Sequence, residues 1–246
     1  VKDYSSYQFT WKEKLRYISE GLLITGILGY LFYKSWMGIL ALSPLIYLYM
    51  IRKKEKLSEN RRWKLNLEFR DGIMAWSASL EAGYSSEHAL EEAYKDLSRI
   101  YSDKAMIMQE FTYMINQVNM NIPIEKALED FGSRSCIEDI QSFSDVFYTA
   151  KRTGGDLISI IKTAVGIISD KIEVKREINT LIAAKRLEAS IMKTIPVLIL
   201  IYLFLSSPGF LDPLYHNFFG IIVMSVFLFL YLGAYLIIDK IIAIEV

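Results

Sequence analysis

The chain has 246 residues, 52% hydrophobic and 23% charged, and its 28 Lys+Arg balance 28 Asp+Glu. Zero net charge gives no case for nucleic acid, which needs a basic face with readout groups, so none is expected as partner. One cysteine, Cys136, excludes an internal disulfide and fits a reducing compartment.

The charges are segregated along the chain. Between Gly21 and Ile51 Lys34 is the one charge, and none falls within 194–211 or 213–238. A membrane crossing needs about 20 apolar helical residues at about 1.5 Å rise each. Residues 1–51 therefore read as an N-terminal segment and a first membrane hairpin turning at Lys34–Ser35. Its first arm is the weakest crossing, because Gly21–Tyr33 is short; starting near Tyr17 gives about 25 Å. A single tilted helix over 21–51 would bury Lys34 and put the N-terminus outside, and a mid-membrane lysine costs about 2.5–3.5 kcal/mol. Tyr30, Tyr33, Trp36, Tyr47 and Tyr49 suit interfacial anchoring. Pro44 and Pro196 are expected to kink their helices. The first apolar run lacks a small-residue cleavage site and leads into a second run, so it is expected to be retained.

Residues 52–193 form a polar block without a strand pattern. Apolar residues recur at helical spacing in three stripes: Leu65, Phe69, Ile73, Trp76, Leu80; Ile107, Phe111, Met114, Val118; and Ile137, Ile140, Phe143, Phe147, Ala150. Such stripes predict a helix bundle. Gly83 and Asn121 are placed to end helices in the left-handed conformation, and Pro123 to open the next. Gly132 is expected to close a short helix. Gly154, Gly155 and Asp156 read as a turn followed by a cap.

The strings Glu-His-Ala-Leu-Glu-Glu-Ala at 87–93 and Glu-Lys-Ala-Leu-Glu-Asp-Phe at 125–131 lie 38 residues apart, and the same offset places Gly83 over Asn121. The string alone is ordinary amphipathic-helix vocabulary; the matching break points favour a helix-turn-helix repeat. Beyond Asp156 the stripe Leu157, Ile161, Val165, Ile168, Ile172, Ile178, Ile182 continues toward Thr194. A continuous helix over 156–193 would measure about 57 Å, as a transmitting lever or a plain connector. Residues 194–246 read as a second membrane hairpin, with Tyr215 and Phe218 as outer anchors. Gly26, Gly29, Gly220 and Gly233 are candidates for close helix packing.

Lys and Arg concentrate at Lys2, Lys12, Lys14 and Arg16, at Arg52–Lys64, and at Lys171–Lys193, whereas the two turns across the membrane offer Lys34 alone. By the positive-inside rule the central block and both termini are expected on the cytoplasmic side of a plasma (inner) membrane.

The segment Leu80-Glu81-Ala82-Gly83-Tyr84-Ser85, the following Ala89-Leu90, and Ala150-Lys151-Arg152-Thr153-Gly154-Gly155-Asp156-Leu157 resemble the type II secretion system F domain. The resemblance covers roughly residues 60–210. A single copy between two hairpins is similar to the tight-adherence (Flp) pilus platform proteins of the TadB and TadC type. Asn121 stands where the second half of that domain often has glycine. The resemblance implies a cytoplasmic domain of six antiparallel helices and a non-enzymatic role between a hexameric ATPase and pilin subunits, acting with a second platform protein or as an oligomer. The fold expected is thus all-α, a cytoplasmic antiparallel helix bundle of about six helices between two transmembrane hairpins.

Catalytic and cofactor chemistry is not recognisable. Thr153-Gly154-Gly155-Asp156 lacks the Lys-Ser/Thr ending of a nucleotide loop, and Asp156 sits where an anion would bind. His88, His216 and Cys136 have no partner at metal-ligand spacing, and no nucleophile motif accompanies the one His of the polar block. No cofactor or metal is expected. Glu81, Glu125 and Glu129, with Glu87, Glu91 and Asp130, read as solvated helix faces or as partner-docking acids. Arg61, Arg62 and Lys64 read as contacts to anionic headgroups, at about 1 kcal/mol each, or to an ATPase. The rival functions are an integral-membrane enzyme on lipid-linked substrates, which would need clustered Asp, His or Lys at the interface, and a transporter, which the uncharged spans disfavour.

Overall fold

In the computed structural model the chain is all-helical, with no β-strand among the described residues, which are 4, 7, 9–154, 156–207, 209–215 and 217–244. Gly155, expected in a turn, and Lys2 and His216 lie outside them. The helices are α1 (Trp11–Tyr33), α2 (Trp36–Ala41), α3 (Pro44–Glu81), α4 (Ser86–Leu97), α5 (Met106–Asn119), α6 (Ile124–Ser135), α7 (Glu138–Thr153), α8 (Leu157–Ser206) and α9 (Phe218–Ile244), with a short 3-10 turn at Asp212–Leu214.

The chain divides into two compact units: Val1–Gln8 with Glu55–Val174, and Phe9–Lys54 with Lys175–Val246. Helices α3 and α8 contribute to both. The units are not the linear thirds read from the sequence: Tyr4 is buried with the first unit's core, and Ile172 is the last residue of α8 in that core.

The first unit is a helix bundle whose core is made by the predicted stripes. Leu65, Phe69, Ile73, Trp76 and Leu80 of α3 are buried, as are Ile107, Phe111 and Met114 of α5, and Ile140, Phe143 and Phe147 of α7. Ile161, Ile168 and Ile172 of α8 join them, and α4 and α6 add Leu90, Leu97, Leu128 and Phe131. Trp76 and Phe147 pack with ring centroids 5.0 Å apart, and Phe69 and Phe143 meet edge to face at 5.4 Å. Fully burying one such side chain contributes about 1.5–3 kcal/mol, against about 0–1 kcal/mol for an exposed ion pair. Apolar stripes hold this unit together; its ion pairs position parts of it.

Gly132 does not close α6. It lies inside the helix, where an added Cβ would come within 3.3 Å of the Gln141 Cα on α7. The glycine serves close approach of two helices, and α6 runs on to end at Cys136, which adopts φ 52°. Pro44 likewise does not kink a helix: it is the first residue of α3, where its missing N–H costs nothing. Pro196 does lie within α8, which continues through it.

In the second unit α1 ends at Tyr33, Lys34 takes the left-handed conformation at φ 44°, and Ser35 caps α2 through the Met37 N–H. The turn therefore falls at Lys34–Ser35, and 21–51 is not one helix. The arm after it is broken, with Leu42–Ser43 separating α2 from α3. An added Cβ on Gly29 would lie 2.9 Å from the Ile39 backbone, and on Gly220 2.5 Å from the Leu214 carbonyl oxygen; Gly26 and Gly233 meet nothing within 4 Å. Two of the four packing glycines thus mark backbone contacts.

Two polar groupings bracket the apolar helices of this unit. In one, Lys34 Nζ meets Asp212 at 2.8 Å and the Tyr215 hydroxyl donates to the Leu31 carbonyl at 2.6 Å. In the other, Lys193 pairs with Asp239, Arg52 lies 3.7 Å from Asp239, and the Lys53 ammonium sits 5.0 Å from the Tyr17 ring centroid. Between them large apolar side chains such as Leu23, Leu198 and Phe229 are exposed, a surface suited to lipid rather than water. Among the described residues three helices are long and apolar enough to cross a membrane: Trp11–Tyr33, Leu157–Ser206 and Phe218–Ile241.

Candidate functional site

The turns of the helical bundle repeat one another in detail. Helix α3 ends at Glu81 and α5 at Asn119; α4 spans Ser86–Leu97 and α6 Ile124–Ser135. Every one of these boundaries recurs after 38 residues. Gly83 and Asn121 have φ of 90° and 61°. The Gly83 and Asn121 N–H groups donate to the Leu80 and Val118 carbonyls at 3.0 and 2.9 Å, and those of Tyr84 and Ile122 to Ser79 and Gln117 at 3.4 and 3.0 Å. Both are Schellman closures, which satisfy the last carbonyls of a helix and reverse the chain.

A third turn shares the left-handed residue and the cap, although the Gly154 N–H donates to the Ala150 carbonyl, one residue further back than in the other two. Gly154 ends α7 with φ 70°, and Asp156 caps α8, its Oδ1 accepting the N–H groups of Ile158 and Ser159 at 3.1 and 3.2 Å. In each turn the left-handed residue stands two positions before the cap, at Ser85, Pro123 and Asp156. The Asp156 carboxylate occupies the α8 N-terminus, the position a bound phosphate would need.

Lys151, in the last turn of α7, gathers the other two turns. Its Nζ donates to Glu87 Oε1 at 2.8 Å and lies 3.1 Å from Glu125 Oε2, an ion pair by distance whose alignment falls short of a hydrogen bond. Glu87 and Glu125 are the equivalent residues of the two repeated strings, each in the first turn of its helix, where a carboxylate complements the helix dipole. Partial burial pulls the Lys151 pKa down, but its pairing with both carboxylates outweighs this and holds it above the ordinary lysine value. Burial likewise opposes ionisation of Glu87; Lys151, backbone N–H and Ser86 outweigh it and hold Glu87 below the usual carboxylate range. Beside this clasp Glu81 pairs with Lys162 at 3.0 Å.

Apolar side chains stand out from the turns. Met120 is 75% exposed, Tyr84 49% and Ile122 37%, and Tyr84 and Ile122 again occupy equivalent positions. Glu129 is exposed, with no ion pair among the described residues. Exposed apolar tips beside carboxylates can bind a protein partner; they hold no catalytic grouping. No cluster of three or more His, Cys, Asp or Glu able to hold a metal occurs among the described residues. His88 pairs with Glu91 at 3.4 Å, and Cys136 is exposed.

The basic candidates lie elsewhere. Lys64 is 17 residues before Glu81 on the same helix, about 25 Å along its axis. The Arg61 guanidinium stacks 4.7 Å from the Tyr4 ring, Lys64 approaches Glu68 at 3.9 Å, and Arg62 is half-buried. The structure thus brings Gly83, Asn121, Gly154, Asp156, Glu81 and Glu125 together with the turns, and sets Arg61, Arg62 and Lys64 apart.

Sequence reasoning gave Lys151 no role, because nothing local marks a lysine whose partners lie 64 and 26 residues away. It also missed Glu68, buried on α3, whose Oε2 accepts the Ile107 N–H at 3.0 Å and caps α5. The one local sign was Ala105 at that N-cap, a residue without a capping side chain. Comparison of the chain with protein-family models, curated proteins and solved structures finds no match in any of the three.

Proposed function

We propose that this chain is an inner-membrane assembly-platform protein of the tight-adherence (Flp) pilus type, or of a related secretion machine, that couples a hexameric cytoplasmic ATPase to the extraction and assembly of pilin subunits. It carries out no catalysis of its own and works with a second platform protein or as an oligomer. The helical bundle and both termini face the cytoplasm, between two membrane hairpins.

The observation that carries this proposal is the set of three repeated turns drawn together by Lys151, with Tyr84, Met120 and Ile122 exposed beside them. A surface built by repetition and held by buried-edge ion pairs, without a catalytic group, suits docking of a protein. Helices α3 and α8 then run from the bundle's residues into the apolar ones without a break, so motion received at the turns can be passed along helices.

Tyr4 supports the topology. It is buried in the same unit as α4–α7, so the N-terminal segment and the bundle share a side and an even number of crossings separates them. Helix α1 supplies one, and the return falls to 36–51. Lys34 paired with Asp212 supports placing the first turn and the Ser206–Asn217 loop on one face.

Co-purification tests the role. The intact chain, captured from its own cells in mild detergent, retains a secretion ATPase, and Tyr84→Asp with Ile122→Asp removes it while leaving membrane insertion unchanged. Failure of the intact chain to retain any ATPase, or equal retention by the double variant, contradicts the proposal.

A further inference from the structure

The two polar groupings that bracket the apolar helices differ in charge balance. In one, Lys34 and Asp212 pair one to one. In the other, cations outnumber carboxylates. Asp239 serves both Lys193 and Arg52. Glu20 is engaged by the Arg16 Nε–H and by the Tyr49 hydroxyl, at 3.1 Å each. Lys53 has no carboxylate within ion-pair distance among the described residues. Its ammonium rests over the Tyr17 and Tyr49 rings instead, 5.0 and 5.8 Å from their centroids. The imbalance extends through the unit made of Phe9–Lys54 and Lys175–Val246. It holds 13 Lys+Arg against 7 Asp+Glu, which leaves 15 against 21 in the other unit.

We propose that Arg52 and Lys53 bind the phosphates of anionic phospholipid headgroups, with Lys193, Asp239, Tyr17 and Tyr49 holding the two cations in place. Position selects a lipid. On α3 the exposed Tyr47, Leu48 and Ile51 give way at once to Arg52, and on α9 the exposed Leu236 and Ile237 give way to Asp239. On α8 Lys193 precedes the exposed Ile195 and Leu198. Three helices thus change from apolar to charged at one ion-paired cluster, the depth at which a bilayer presents its phosphates. Charge selects an anionic lipid. Phosphatidylcholine carries its own cation and leaves Arg52 and Lys53 uncompensated, whereas phosphatidylglycerol supplies the missing negative charge.

The surroundings assign each cation its part. The Lys193 side chain is 15% exposed, pairs with Asp239, and lies 4.5 Å from the Tyr235 ring centroid. Arg52, 54% exposed and 3.7 Å from the same carboxylate, is the looser partner and is free to turn to a phosphate. Lys53 is already positioned by two rings, so it has less freedom to lose on binding. Consecutive helical residues do not face each other. Arg52, toward α9, and Lys53, toward α1, therefore take two separate lipids rather than one shared phosphate. Arg61 and Lys64, by contrast, turn to the Tyr4 ring and to Glu68. The proposal rests on the apolar helices lying in a bilayer and is independent of the platform role, which ATPase retention reads separately.

The test measures tail-labelled phosphatidylglycerol and phosphatidylcholine retained by the full chain in nonionic detergent. Phosphatidylglycerol is expected to bind at least about tenfold more tightly, and to lose that advantage as salt is raised. Arg52→Gln with Lys53→Gln is expected to bring the two lipids level. Lys104→Gln with Lys126→Gln, which removes equal charge from exposed positions of the other unit, should leave the preference intact. If circular dichroism shows that the Arg52 and Lys53 double variant does not fold, Lys53→Gln alone is read and should retain one phosphatidylglycerol fewer. Equal binding of both lipids by the native chain, or an unchanged preference in the folded Arg52 and Lys53 variant, overturns the proposal. So does an equal loss in the Lys104 and Lys126 variant, or displacement of phosphatidylglycerol by inorganic phosphate at constant ionic strength, which would mark a site for a soluble anion.

Discussion

Lys151 stands at the smallest scale on which this molecule can be understood. Two half-buried carboxylates from equivalent positions of a repeat converge on one ammonium. Lys151→Ala leaves both without their cation, and is expected to cost about 1–2 kcal/mol, read as a Tm lowered by about 2–4 °C per kcal/mol. The sign of the pH dependence follows from the two shifts. Glu87 is depressed in the folded state, so its share is present above the unfolded carboxylate value and lost as pH falls through the folded one. Lys151 is raised, so its share is full below the unfolded lysine value and lost as pH rises through the folded one. The Tm gap between the native chain and Lys151→Ala should therefore be widest between about pH 5 and 10 and shrink beyond either limit. Asn121 gives a second prediction at this scale. At φ 61°, Asn121→Gly should be neutral or stabilising and Asn121→Val should cost about 1–2 kcal/mol, as measured by thermal unfolding. Gly83, Asn121 and Asp156 were legible in the sequence because positive φ and capping are local chemistry. Lys151, Glu68 and Tyr4 were not, since each acts on residues far away in the chain.

Among elements, apolar periodicity located the helices and misjudged what some glycines and prolines do. A glycine at the end of an amphipathic stretch reads as a stop, yet Gly132 is buried inside α6 with the Gln141 backbone of α7 close against it. Gly132→Val should then clash with α7 and cost about 1–3 kcal/mol, seen as a lowered Tm of the detergent-solubilised chain; an unchanged Tm would show that α7 can yield. Pro44 reads as a kink in an apolar run and proves to be the start of a helix, because the chain breaks at Leu42–Ser43 just before it. That break was hidden by uniform hydrophobicity, which records lipid and not backbone path. At the third turn Gly154 has φ 70°, a value that proline cannot adopt. Gly154→Pro should leave the chain inserted in the membrane and abolish pilus assembly, scored by electron microscopy of cells carrying the variant. Normal piliation would mean that the α7–α8 turn carries no motion.

For the whole molecule, the segregation of charge already announced an all-helical chain with apolar helices long enough to cross a membrane. What it obscured was that residues 1–8 belong with the bundle and that 175–246 group with 9–54, since such long-range grouping leaves no periodic trace. The platform role requires the bundle to lie on the cytoplasmic side with its N-terminal segment, and the Lys34–Ser35 turn to lie outside. Labelling of intact cells with a membrane-impermeant maleimide tests this most directly, using exposed Cys136 in the native chain and Ser35→Cys in a Cys136→Ser background. Reaction at position 35 in intact cells, with Cys136 reacting only after permeabilisation, is the expected result. Rapid labelling of Cys136 in intact cells would put the bundle outside and sever it from any cytoplasmic motor.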